Sequence, residues 1–125
     1  EITRHPREAT GEMVRARDLG AVIMGAMARV PVAGTPKAPL GRISDEKLAH
    51  IIAVSRLVGG EVPQEICVHP PVEAAVASGA NAVVIETGAV PRDREEIRKE
   101  WRGQTAAQAR ELLGRHYPSV AGAAA

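Results

Sequence analysis

Three short apolar runs, at residues 21–32, 65–69 and 82–87, alternate with segments patterned as helices. This alternation constrains the fold more than any other feature of the chain. The runs are rich in Val, Ile and Ala and lack the apolar–polar alternation of a strand with one wet face. They read as strands buried on both faces, the pattern of a parallel sheet. For AVIMGAMARVPV, residues 21–32, a buried helix is the competing reading; Val22, Ile23 and the closing Pro31 favour strand. EICVH ends at Pro70-Pro71, and NAVVIETG supplies the third run.

The segments between carry helix start and stop signals. PREATGEMVRARDLG opens on Pro6 and ends at Gly20, with Ala9, Met13, Ala16 and Leu19 at helical spacing. Ser44 stands as N-cap to DEKLAHIIAVSRLV, where Asp45 and Glu46 suit the helix dipole and Gly59-Gly60 stops the element. Leu48, Ile51, Ile52 and Ser55 form its apolar stripe. PVEAAVASG predicts a short helix from Pro71 to Gly79. After Pro91, Asp93 caps the charged helix DREEIRKEW, Gly103 breaks it, and TAAQARELLGRHY makes the last helix. The loop AGTPKAPLGRI is too dense in Gly and Pro for a regular element.

Alternating units of this kind make a parallel sheet with right-handed crossovers. Three sequential strands cover only one sheet face with their own helices, so the other face needs a cover from elsewhere. A complete (β/α)₈ barrel takes about 250 residues, and this chain has 125. The expected fold class is therefore α/β, a partial, half TIM-type barrel of about three parallel strands over residues 1–120, with 121–125 a flexible tail. The first residue is Glu1 rather than Met, which points to a processed, trimmed or fragmentary chain.

Composition narrows the functions. Sixteen basic residues against fifteen acidic give a formal charge of +1, and Trp101 and Tyr117 are the only aromatics. Neither a strong field nor a stacking platform exists for nucleic acid. The single cysteine, Cys67, excludes an internal disulfide and fits a reducing, cytoplasmic setting. No apolar stretch approaches a membrane span or a signal peptide.

Three landmarks then fall in one order: ARVPVAGTPKAPLG, HIIAVSRLV and VASGANAVVIETG. Together they resemble the region from the sixth to the eighth strand of biotin-synthase-like radical SAM enzymes, including the biotin- and thiamin-synthesis-associated region of that family. Relatives sharing the barrel include the hydrogenase-maturation and methanogen cofactor-biosynthesis enzymes. The resemblance covers about residues 20–93. It implies a complete enzyme using S-adenosylmethionine and a [4Fe-4S] cluster, with neither bound by this chain alone. It also implies that Arg29, Val30 and Pro31 lie beside the adenine of S-adenosylmethionine, partly through backbone groups. Where biotin synthases carry an Asn near this strand's start, Met27 stands here; where they carry an Arg on the seventh strand, the sequence reads Ile66-Cys67-Val68-His69. Both departures speak against biotin synthase itself. The C-x-x-x-C-x-x-C motif is absent, so no catalytic residue and no metal site is assigned.

Polar residues near strand ends are the remaining site candidates, since barrels bind ligands at the C-terminal ends of strands. Arg29, His69 and Glu86 meet that description, with His69 and Glu86 expected to face the substrate cavity and the Gly34-Thr35-Pro36 turn on its rim. The competing reading makes them rim salt bridges pairing with charges such as Glu73 or Arg92. Cys67 and His69 share one side of their strand, but two ligands are too few for a metal, and a packed thiol beside a hydrogen-bonded histidine is favoured. Expected partners are the N-terminal half of a barrel, or a second copy, and a small-molecule substrate; nucleic acid and membrane are not expected. A non-catalytic half-barrel that dimerises or docks on a larger complex is the rival function.

Overall fold

The computed structural model describes residues 6–29, 31–85 and 104–121. The elements run α1 (Pro6–Asp18), β1 (Ile23–Met27), a 3₁₀ turn (Ala38–Leu40), α2 (Asp45–Gly59), β2 (Glu65–His69), α3 (Glu73–Ala77), β3 (Ala82–Val83), α4 (Ala106–His116) and α5 (Pro118–Ala121). The three strands form one open, all-parallel sheet in the order β1-β2-β3. Register pairs Ile23 with Glu65, Gly25 with Cys67 and Met27 with His69, while Cys67 also pairs with Ala82. The α/β class and parallel sequential order agree with the sequence reading.

Helix α2 organises the core. Ser44 Oγ accepts from Lys47 N at its start, and the N–H of Gly60 donates to the Arg56 carbonyl at its end. Its buried stripe is Leu48, Ala49, Ile52 and Ser55, shifted from the sequence expectation because Ala49 is buried and Ile51 only half-buried. Leu48, Ala49 and Ile52 meet Ile66 and Val68 of β2, Ala28 after β1, Ala75 of α3 and Ala80. With no Phe to fill space, close approach of these small and branched side chains builds the cluster. Ser55 satisfies its hydroxyl by donating to the Ile51 carbonyl at 2.8 Å within the same helix.

Two polar ties close the packing. Asn81 Oδ1 accepts from Ile66 N at 2.7 Å, and its Nδ2 donates to the Gln64 carbonyl at 2.9 Å, joining the entry of β3 to the entry of β2. Helix α4 opens on a capping box, in which Thr105 and Gln108 satisfy one another's backbone N–H groups. It docks on α3 with Ala109 and Leu112 buried. Arg115 then reaches both carboxylate oxygens of Glu73 at 3.2 Å.

Several expectations need correction. Residues 21–22, 28–29 and 31–32 lie outside β1, which spans five residues. Val84 and Ile85 lie outside β3. The loop after β1 does hold a regular element, the 3₁₀ turn at Ala38–Leu40; three residues suffice for one, and Pro39 sits in its first turn. Most telling, β1 is not buried on both faces: Ile23 is 59% and Met27 70% exposed. The helices cover one face of this strand, and its other face is open. The charged helix expected over residues 93–101 lies outside the described residues, and Ala121, first residue of the expected tail, ends α5.

Candidate functional site at the strand C-termini

Period-two alternation sorts the sheet into two faces. Ile66 and Val68 point into the core under α2, so Cys67 and His69 share the opposite side of β2, as the sequence predicts, Cys67 half-buried there and His69 buried. Ile23, Gly25 and Met27 carry that face across β1, and Ala82 continues it on β3. Between Glu65 at its N-terminal margin and His69 at its C-terminal margin, it is apolar.

Arg29 follows the C-terminal end of β1. Its Nη2 donates to the carbonyls of Lys37 at 2.7 Å and Gly41 at 3.0 Å, tying the loop back onto the strand end. Within that loop Thr35 Oγ1 donates to the Val32 carbonyl at 2.8 Å, and Thr35 N reaches the same oxygen at 3.2 Å. The result is a turn, as the Gly34-Thr35-Pro36 sequence suggests. Arg29, Val32, Thr35, Pro36 and Lys37 line an open cleft of about 430 Å³. Parallel α/β proteins bind ligands at this end of the sheet.

His69 ends β2 at the same side of the sheet, 7% exposed, with its carbonyl accepting from Ala28 N at 2.8 Å. It is not among the residues lining the cleft beside Arg29. The structure thus joins Arg29 to the Thr35-Pro36 turn and sets His69 on the neighbouring strand end. Pro31 is half-buried at the start of the loop, while Val30 and Glu86 lie outside the described residues. Glu73, named as a possible salt-bridge partner for the strand-end charges, is engaged by Arg115.

Cys67 is half-buried, and burial, reinforced by the nearby Glu65 carboxylate, pushes its thiol above the ordinary 9.0. A thiol so placed stays protonated near neutrality and is a poor nucleophile or ligand. Among the described residues no group of three or more His, Cys, Asp or Glu could hold a metal ion. With one cysteine in the sequence, the chain does not fit a [4Fe-4S] cluster, which takes about three or four thiolates.

Sequence reasoning missed Val32 and Lys37, which flank the Gly-Thr-Pro turn. Their signal was the unusual length of the connection between β1 and α2, residues 28–44, since connections much longer than about 12 residues are commonly functional. It also missed Arg56, whose guanidinium reaches the Gly79 carbonyl and Asn81 Oδ1. Among the described residues, no helix is long and apolar enough to cross a membrane. Compared with known proteins, the chain matches no family model, no curated protein and no solved structure.

Proposed function

We propose that this chain is a C-terminal half-barrel of a biotin-synthase-like radical SAM enzyme, forming one wall of the S-adenosylmethionine and substrate cavity. The observation that carries this reading is the open apolar face of a sequential parallel sheet, lying opposite its helices. In a barrel that face is the interior. Ile23 and Met27 would then be cavity lining rather than surface, and His69 would stand at the cavity mouth. Arg29 and Pro31 begin the loop that the resemblance sets beside the adenine, with Val30 between them. The iron–sulfur cluster would be held by residues outside this chain, and no step through it is assigned to the residues here.

The same open face supports a second reading, a non-catalytic half-barrel that pairs with another copy or docks on a larger complex. One experiment separates the two. The complete gene product is prepared anaerobically and assayed for reductive cleavage of S-adenosylmethionine. Cleavage that requires a three-cysteine motif elsewhere in the product supports the enzyme. A product with no such motif, no cleavage and a stable homodimer overturns it in favour of the docking module.

A further inference from the structure

The two sides of β1 differ in their backbone bonding. Glu65 N donates to the Val22 carbonyl at 3.2 Å, and Ala28 N donates to the His69 carbonyl at 2.8 Å. The even-numbered residues from 22 to 28 therefore turn their backbone groups toward β2. Backbone groups alternate along a strand, so those of Ile23, Gly25 and Met27 point outward from the margin of the sheet. Among the described residues nothing pairs with them. All three residues are exposed. The devices that commonly guard such a margin are missing, since Ile-Met-Gly-Ala-Met carries no charge and no proline. A row of outward donors and acceptors on an extended backbone is complementary to a second extended backbone.

We propose that the outer edge of β1 pairs antiparallel with the same edge of a second copy of this chain, about a two-fold axis at Gly25. The strand is self-complementary in that arrangement. Gly25 meets its counterpart, and Ile23 falls opposite Met27 of the second copy, so every outward N–H finds an outward carbonyl. Residues directly opposite share a face, so the exposed Ile23 and Met27 side chains cover one another across the axis. An uncharged strand sets no like charges against each other. The far margin is a poorer partner. Asn81 N donates to the Ile66 carbonyl and Val83 pairs with Val68, which leaves Ala82 as the one outward residue of β3. Pairing β3 onto β1 would leave most of the outward groups of β1 without a bond. A self-matching contact is isologous, and it closes at two copies. The inference deepens the second reading above, on which it rests, by naming the edge of β1 rather than the open face as the contact between copies.

Sedimentation of the 125-residue chain over a concentration series, joined to residue-resolved amide exchange, tests the proposal. A monomer–dimer equilibrium is expected. The amides of Ile23, Gly25 and Met27 should exchange at least about tenfold more slowly in the dimer. Those of Met24 and Ala26, already bonded to β2, should be protected in both states and serve as the internal control. Ile23→Pro removes an outward N–H at the first residue of the strand, where the ladder to β2 loses nothing, and should weaken association at least about tenfold. Ile23→Val keeps the N–H and should dimerise as wild type does. Should Ile23→Pro fail to fold, Ile23→Lys keeps the backbone and sets a charge at the contact, and is read in the same way. A monomer at every concentration overturns the proposal. A dimer that leaves the Ile23, Gly25 and Met27 amides unprotected also overturns it, while sparing the reading that copies pair by another surface. Assemblies that grow beyond two copies overturn the two-fold pairing. Reductive cleavage of S-adenosylmethionine is assayed separately and is not an outcome of this experiment.

Discussion

The guanidinium of Arg56 grips the carbonyl oxygen of Gly79 with two nitrogens, Nε at 3.2 Å and Nη2 at 2.9 Å. The contact spans from the last turn of α2 to the turn after α3. Nη2 also reaches Asn81 Oδ1 at 3.2 Å, and Nη1 the Pro63 carbonyl at 3.4 Å. One half-buried side chain therefore joins α2, the approach to β2 and the approach to β3. Arg56→Met should lower unfolding free energy by about 2 kcal/mol, because it strips charged donors from partly buried acceptors. Asn81→Ala should cost a similar amount, about 2 kcal/mol, through the lost bond to Ile66 N. The two losses should not add: a double-mutant cycle by urea unfolding should give coupling of at least about 0.5 kcal/mol. Additive losses would mean that the Arg56–Asn81 contact contributes nothing.

Helix caps give a second, independent test. Ser44→Ala and Thr105→Ala each remove a side-chain acceptor from a first-turn amide. Each should cost about 1 kcal/mol. Replacing either Ser44 or Thr105 with Asp should restore most of the loss; failure of that rescue would show that the hydroxyl acts by something other than capping.

Glu73 sets an acid-side dependence. Hydrogen bonding from Arg115, with the charge of that guanidinium, holds the Glu73 carboxyl below its ordinary 4.5. His116 Nε2 at 3.4 Å adds a weaker contact that gains charge only when protonated. A depressed carboxyl stabilises the fold above its unfolded value and loses that contribution as pH falls through its folded one. The stability difference between wild type and Glu73→Gln should therefore be flat above pH 4.5 on this side chain's account and shrink below it. Arg115→Gln should return the Glu73 titration, followed by NMR, toward 4.5. A Glu73 titration unmoved by that substitution would reject Arg115 as the cause.

Cys67 should be slow to alkylate. Burial and Glu65 raise its thiol above 9.0, so little thiolate is present at pH 8. Iodoacetamide should modify the native chain at least about tenfold more slowly than the urea-unfolded chain. Equal rates would place the thiol in open water.

Met27→Lys probes the open sheet face without touching the core. Met27 is 70% exposed, so its replacement should change stability by no more than about 0.5 kcal/mol. It should sharply reduce binding of a hydrophobic dye by the isolated chain, because exposed apolar patches of this kind take up such probes. A large loss of stability would mean that Met27 is packed against the rest of the chain.

Elements marked by local chemistry were legible in the sequence. Ser44, Asp45 and Gly60 bound α2 where a reader of caps would set it, and Pro70 ends β2 after His69. Strand extent was less legible: a strand lasts while a neighbour pairs with it, and the partners of β1 stop at Met27 and His69. The apolar run from 21 to 32 is longer than that ladder, and nothing within it marks where pairing ends. Arg29 was legible as a candidate because charge at the end of an apolar run is expensive to bury. Its bonding to Lys37 and Gly41 was not, since eight and twelve residues of loop separate the partners. Asn81 stood out as part of a Gly-Ala-Asn segment, but its bridging of Ile66 and Gln64 needed the register of two strands.

Among the described residues, sequential strand order leaves β1 and β3 as the two margins of a sheet whose strands all run one way. Such a sheet has a head and a tail with matching polarity. The margin formed by β3 in one molecule is compatible in direction with the margin formed by β1 in the next. Repetition of that contact is heterologous, and a heterologous contact either closes into a ring or continues as a filament. A partner that completed the sheet would then do more than fill a cavity. It would also terminate a growth series that the bare molecule leaves open, so the yield of dispersed protein would depend on the stoichiometry of that terminator.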